Sequence, residues 1–276
     1  MARSRLPGLI AVIHLPPLAG SPRASREHPS TALEKAGLRA VAEARALEKA
    51  GFEGLVLENF GDVPFFKDQV PPETVASMAV IAAAVRQAVK VPIGINVLRN
   101  DARAALAIAS VTDCQFLRVN VLSGLVAADQ GLIEGDAAGL LRERERLGAR
   151  PWIFADAQVK HARTLSPDDI GGVIHDLASR SGADAAVVTG AATGKAAELP
   201  HVEAASAAAR KAGIPLFLGS GVSRENIARF RRLVDGVIIS SDLRQSGRAG
   251  AGLDAVRVRE FVKAFEKAPT NRPRLR

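Results

Sequence analysis

Short apolar runs recur along the chain, and longer segments with helical spacing of apolar residues separate them. The runs are Leu9–His14, Gly54–Asn59, Pro92–Val97, Gln115–Val121, Pro151–Asp156, Asp184–Thr189, Pro215–Leu218 and Asp235–Ile239. Each is dense in Val, Ile and Leu and lacks the one-in-two alternation of a half-exposed strand. Such runs read as parallel strands buried on both faces. The intervening segments, among them Ala32–Ala50, Pro72–Val89 and Pro200–Ala212, are rich in Ala, Leu, Arg and Glu and read as helices. A strand then a helix, repeated about eight times, predicts a parallel sheet covered by helices. A doubly wound open sheet is the alternative, but eight units in 276 residues suit a closed barrel, which typically takes about 250 residues. The expected fold class is therefore α/β, a (β/α)8 TIM barrel, as a single domain over residues 9–267. Residues 1–8 are expected to be a flexible leading segment and 268–276 a disordered basic tail.

The end of the pattern carries the first chemical signal. Gly219-Ser220-Gly221 terminates the seventh run, and Ser240-Ser241 terminates the eighth. Small residues let backbone N–H groups approach an anion, and a helix beginning near Ser223-Arg224-Glu225-Asn226 would add its positive amino end. In an eight-stranded barrel a phosphate site lies after strands seven and eight. The fold is thus expected to be of the phosphate-binding type. Thr189-Gly190 at the end of the sixth run, opening the loop Ala191–Lys195, extends the candidate phosphate set.

The other runs also end in polar residues. His14 closes the first, Glu58 and Asn59 the second, and Asn96 the third, with Arg99, Asn100 and Asp101 just beyond. Arg118 and Asn120 lie on the fourth and Asp156 ends the fifth. In a barrel these positions converge on the mouth where chemistry is done, whereas the opposite end serves stability.

Composition narrows the function classes. Hydrophobic residues make up 47% of the chain, enough for a sizeable core, and no apolar stretch reaches the ~18 residues of a membrane span. No signal-like segment is visible, so a cytoplasmic protein is expected. Cys114 is the only cysteine, which excludes an intrachain disulfide and a cysteine-based metal site within one chain. Lys and Arg number 37 against 29 Asp and Glu, a net charge of +8. Five of those charges, on Arg3, Arg5, Arg272, Arg274 and Arg276, lie at the ends, leaving the body near +3. With no zinc-finger spacing, no aromatic RNA-binding motif and no nucleotide-cofactor motif, the expected partner is a small anionic metabolite rather than nucleic acid.

The strand-end residues also carry a family resemblance. Ile13-His14-Leu15-Pro16-Pro17-Leu18, Glu58-Asn59-Phe60-Gly61-Asp62-Val63-Pro64-Phe65 and Gly94-Ile95-Asn96-Val97-Leu98-Arg99-Asn100-Asp101 resemble signatures of the BtpA/SgcQ family. Arg118-Val119-Asn120-Val121, Asp129-Gln130-Gly131-Leu132-Ile133-Glu134-Gly135, Val159-Lys160-His161 and Gly219-Ser220-Gly221-Val222 continue the likeness, which spans residues 9–265. The resemblance implies a phosphate-binding α/β barrel. It implies two functional settings, because the name-giving member is associated with accumulation of photosystem I reaction-centre proteins and another branch sits with sugar-metabolism genes.

The residues support several chemistries. His14, Glu58 and Asp156, with His161, hold the donors of a divalent-metal site; Asp156 or Glu58 could instead act as a general base without metal. A third reading pairs Glu58 with Arg99 or Arg118 as a structural ion pair. Lys160 invites a Schiff-base role, but its loop position beyond Asp156 favours the charged ammonium and thus anion binding. The catalytic set is accordingly His14, Glu58, Asn96, Arg99, Asn120, Asp156, Lys160 and His161. The phosphate set is Thr189, Gly190, Gly219, Ser220, Gly221, Ser240 and Ser241. The long loops Phe60–Asp68 and Leu122–Gly135 are candidate lids or subunit contacts, since such barrels are commonly homo-oligomers. Two functions follow: an enzyme of aldolase, isomerase or lyase type acting on a small phosphorylated or sugar-like metabolite, and a non-catalytic assembly factor for a protein complex such as photosystem I.

Overall fold

The computed structural model describes residues 6–158, 162–165, 169–190 and 198–270. Eight parallel strands close into a barrel: β1 (Leu9–His14), β2 (Gly54–Glu58), β3 (Ile93–Asn96), β4 (Phe116–Val119), β5 (Trp152–Asp156), β6 (Ala185–Thr189), β7 (Leu216–Gly219) and β8 (Gly236–Ile239). Closure comes from β8 pairing back onto β1, with Leu9 opposite Val237 and Ala11 opposite Ile239. The open-sheet alternative is thereby excluded. Six strands start one residue later than expected, and at three of them the residue left out is a proline, Pro92, Pro151 or Pro215, which has no N–H to donate to a ladder.

Helices follow the strands on the outside: α1 (Pro29–Ala50), α2 (Pro72–Ala88), α3 (Ala102–Thr112), α4 (Ala137–Arg146), α5 (Ile170–Ser179), α6 (Leu199–Ala212), α7 (Ile227–Phe230) and α8 (Ala255–Lys267). Asp101, Asp136, Asp169 and Asp254 cap α3, α4, α5 and α8 by accepting backbone N–H bonds. α7 is a single turn, so the helix expected to point its amino end at a phosphate contributes little dipole there. Among the described residues no helix is long and apolar enough to cross a membrane.

Two apolar layers result from the strand alternation. Leu55, Leu57, Ile93, Ile95, Leu117, Ile153, Val188 and their neighbours face the helices in the main core. The other set, Ile10, Val12, Val56, Phe116, Trp152, Phe154, Ala185, Val187, Phe217 and Ile238, fills the barrel. Phe154 packs against Phe116 and Phe217 with ring centroids 4.9 and 4.8 Å away. Gly94 and Gly236 leave room for Phe116 and Phe217, since a Cβ on either glycine would collide with those rings.

Three expectations are corrected. Residues 6–8, expected to be free, are anchored: Leu6 packs on the barrel filling, Pro7 lies against Gly54, and the Gly8 N–H donates to Glu53 Oε2 at 2.6 Å. At the other end, Ala268, expected to belong to the tail, is buried in the core. The Leu122–Gly135 segment holds the antiparallel pair Leu125–Ala128 and Gly131–Glu134, extended by Ala162–Thr164. Val126 and Ile133 bury one face of this small sheet against Val121. Its strands are too short for alternation to announce them, and one partner is distant in sequence.

Candidate active site

The last inward positions of β1, β2, β3 and β5 fall at the mouth, above the aromatic filling. There the inward residues turn polar. In the barrel register His14 stands opposite Glu58 and Glu58 opposite Asn96, so β1, β2 and β3 present the three in one row. His14 Nε2 lies 3.5 Å from Glu58 Oε1, and Asn96 Nδ2 donates to Glu58 Oε2 at 2.7 Å. The Gly250 N–H donates to His14 Nδ1 at 2.9 Å, and Ser240 Oγ is 3.4 Å from the same nitrogen. An Nδ1 that accepts from a backbone N–H places the proton of the neutral ring on Nε2, toward Glu58. Phe60 stacks on the imidazole with centroids 4.1 Å apart and fixes its plane.

Across the mouth, Arg118 and Asp156 form a bidentate pair. Nε reaches Oδ1 at 3.0 Å and Nη2 reaches Oδ2 at 3.1 Å, while Asn120 Nδ2 adds a 2.9 Å bond to Oδ2. Burial works against the Arg118 charge, but the attraction and hydrogen bonds of Asp156, with Glu58 further off, outweigh it and raise its pKa. The third nitrogen, Nη1, meets no acceptor among the described residues. Asn120 Oδ1 is likewise buried without a hydrogen-bond partner. Arg118 is thus bound to Asp156 rather than to Glu58, which faces His14 and Asn96.

Arg99 is buried at the rim, where its N–H donates to Phe66 O at 3.0 Å. Burial lowers the pKa of its guanidinium, against the pull of Asp156, Asp129 and Glu58. With Phe65, Asp129 and Gln130 it lines a separate cavity of about 370 Å³ under the tip of the small sheet. Phe66 points outward.

The two small-residue turns meet the row. A cavity of about 210 Å³ is lined by His14, Glu58, Phe60 and Arg118 on one side and by Ser220, Gly221, Ser240 and Ser241 on the other. Ser220 and Gly221 take φ of 52° and 79°, a left-handed pair that turns the chain sharply after β7. Asn226 ties the turn by donating to Gly221 O and accepting from the Ser223 N–H. The N–H groups of Gly221, Val222 and Ser241 donate to no protein acceptor among the described residues.

Gly219 does not belong to this lining. It is an inward strand residue whose missing side chain leaves room for Val187, Thr189 and Arg118. Thr189 donates to Gln158 O at 3.1 Å and, with Gly190, stands outside the cavity. Lys160, His161 and the loop Ala191–Lys195 lie outside the described residues.

His14, Glu58 and Asp156 do not converge as one metal site. Both Asp156 oxygens are committed to Arg118 and Asn120, away from the His14–Glu58 pair. Among the described residues no three His, Cys, Asp or Glu side chains gather as a metal site.

Several contributors escaped the sequence. Gly250 sets the His14 tautomer, and Arg257 and Asp242 line the cavity from beyond β8. Arg244, wholly buried, donates to Glu43 Oε2 at 2.6 Å and Val12 O at 2.7 Å and so pins the post-β8 segment. None sits at a strand end, where the sequence pattern concentrates polar residues.

Comparison with known proteins matches this architecture. The BtpA family model matches residues 6–267. The Photosystem I biogenesis protein BtpA of Synechocystis sp. is 42% identical over 265 residues, covering 96% of this chain and 90% of that protein. A protein of Archaeoglobus fulgidus is 42% identical over 259 residues, covering 93% and 97%. Among solved structures, N-(5'-phosphoribosyl)anthranilate isomerase from Pyrococcus furiosus has a TM-score of 0.57 over 94% of this chain and 98% of that one. At 14% identity that likeness is one of fold. The sequence match over nearly the whole chain goes further, and the chain belongs to the BtpA family.

Proposed function

We propose that the protein is an enzyme acting on a small phosphorylated or sugar-like metabolite at the mouth of the barrel, by isomerase, lyase or aldolase chemistry. One observation carries this reading: a single cavity joins the His14–Glu58 pair and Arg118 to the two turns after β7 and β8. The turns offer N–H and hydroxyl donors to a phosphate. Glu58 is the proton acceptor, oriented by Asn96 and facing the Nε2–H of His14. Arg118, held flat by Asp156, presents its remaining nitrogen to the negative charge that develops on a carbonyl oxygen when the neighbouring carbon loses its proton. The fold-level likeness to a phosphoribosyl isomerase supports the substrate class.

The test is a turnover screen with sugar phosphates followed by Glu58→Gln. The variant keeps the fold and ligand binding and loses about 10²–10⁴ in rate. Full activity in Glu58→Gln would remove the carboxylate from the chemistry. Gly221→Val, which fills the turn and strains a left-handed position, abolishes binding of inorganic phosphate; unchanged binding would sink the cradle.

A second reading, an assembly factor for a protein complex, is favoured by the name of the Synechocystis relative. It makes the opposite prediction for the same variant. A Glu58→Gln chain would support assembly as well as the parent, because a partner protein would read the outer surface rather than the mouth.

A further inference from the structure

The first turn of α8 carries a cation where a helix favours an anion. Arg257 is the third residue of α8, at the positive end of the helix dipole, and the Asp254 cap accepts its N–H at 3.2 Å. Helix stability does not select an arginine at this position.

Its guanidinium is instead fixed from the turn after β8. Nε donates to Asp242 O at 2.8 Å and Nη2 to Asp242 Oδ1 at 2.7 Å. Two of three nitrogens are thereby committed, and Nη1 meets no protein acceptor among the described residues. The side chain lines the same cavity as Ser220, Gly221, Ser240 and Ser241.

Asp242 also lines that cavity, yet both its oxygens are occupied. Oδ1 takes Arg257, and Oδ2 takes the Arg224 N–H at 2.9 Å. The Arg224 guanidinium stands 3.6 Å from Oδ1 through Nη1, while its Nε pairs with the exposed Glu225 and Glu260 at 2.9 and 3.4 Å. Asp242 therefore serves mainly to hold Arg257.

We infer that Arg257 is the cationic contact of a phosphomonoester bound in this cavity, and that Asp242 is the positioning residue that turns its third nitrogen toward the ligand. The inference rests on the phosphate reading above and adds the ligand's charged partner. A guanidinium beside several N–H and hydroxyl donors matches a tetrahedral dianion better than a neutral sugar. A cavity of about 210 Å³ lies below the ~300–1,000 Å³ of sites for drug-sized ligands, so the ligand is a small phosphate ester rather than a nucleotide.

Calorimetric titration of the full chain with inorganic phosphate tests this, with thermal melts to confirm that each variant is folded. Arg257→Gln weakens phosphate binding about tenfold or more, and Arg257→Lys, which keeps the charge and the fold but loses the planar fork, weakens it less. Asp242→Asn is the decisive variant. It removes a negative charge from an anion site, so electrostatics alone would tighten binding, whereas loss of orientation weakens it several-fold. Tighter binding in Asp242→Asn would overturn the positioning role. Unchanged binding in Arg257→Gln with binding lost in Gly221→Val would overturn the Arg257 contact and leave the cradle standing. The reverse pattern would keep Arg257 and remove the cradle, and a parent chain that binds no phosphate overturns both.

Discussion

Two buried arginine–carboxylate pairs, Arg118–Asp156 and Arg244–Glu43, look alike in isolation and do different things. The first lies inside the barrel wall, lines the mouth cavity and keeps one guanidinium nitrogen free of protein acceptors among the described residues. The second lies outside the wall, between β1 and α1, where Arg244 gives Nη1 to Glu43 and Ala251 O and Nη2 to Val12 O, leaves its buried Nε without a partner, and touches no ligand space. Burial is the largest influence on both arginines and opposes their charge. Asp156 and Glu58 overcome it at Arg118, whose pKa is raised. Glu43 does not at Arg244, where Arg39 adds repulsion and the pKa is lowered. A buried charge therefore does not by itself mark a functional site; a remaining donor that faces a cavity does.

Breaking the sealed pair has the largest expected effect. Arg244→Met leaves Glu43 buried with only Arg39 beside it and costs about 3 kcal/mol or more in urea unfolding. A loss below about 1 kcal/mol would mean that water reaches the pair.

Arg118→Met is milder in stability and severe in function. Asp156 keeps the Asn120 hydrogen bond, so the cost is about 1–3 kcal/mol while turnover is lost. If it destabilised more than Arg244→Met, the contrast between a sealed and an accessible pair would be reversed.

Cys114, the buried thiol before β4, reports on the packed side of the molecule. Burial is the main cause of its pKa rising from 9.0 to about 11, with Thr112 Oγ1 donating to Sγ at 3.2 Å. The unfolded thiol ionises first, so its contribution to stability is full below about pH 9 and is lost as pH rises through about 11, at no more than about 1.4 kcal/mol per pH unit. Alkylation at pH 8 is correspondingly slow in the parent, faster in Arg118→Met and faster still in Arg244→Met. Equal rates in all three would show that neither pair stabilises the structure around it.

The smallest change comes from replacing the sealed pair whole. Arg244→Met with Glu43→Leu returns stability to within about 1 kcal/mol of the parent, since an apolar pair of similar volume avoids the cost of burying two charges. Arg118→Met with Asp156→Leu folds but binds no substrate. Recovered binding in that double variant would exclude the mouth pair from function.

The strand ends were the most legible part of the site. His14, Glu58, Asn96, Asn120 and Asp156 were chosen because each ends an apolar run, and the structure brings them to one mouth. Partner choice was not legible. Local pattern left Glu58 open between metal ligand, general base and partner of an arginine, and Asp156 between metal ligand and general base; register places Glu58 between His14 and Asn96 and Asp156 beside Arg118. Arg244, Gly250 and Arg257 were invisible because nothing in the local pattern of the post-β8 segment shows that it folds back over β1 and α1.

The sequence by itself determined the order of strands and helices, the two-sided burial of the strands and the polar character of their ends. Those properties follow from local periodicity and from the need to bury apolar surface. Tertiary structure decided which charges meet. Arg118 finds Asp156 38 positions away and Arg244 finds Glu43 201 positions away, contacts set by barrel closure and strand register. Neighbouring strands lie about 4.8 Å apart, so a shift of one residue would turn a mouth side chain into the helix layer. The chemistry of the mouth is thus a consequence of register, which no single segment of this chain contains.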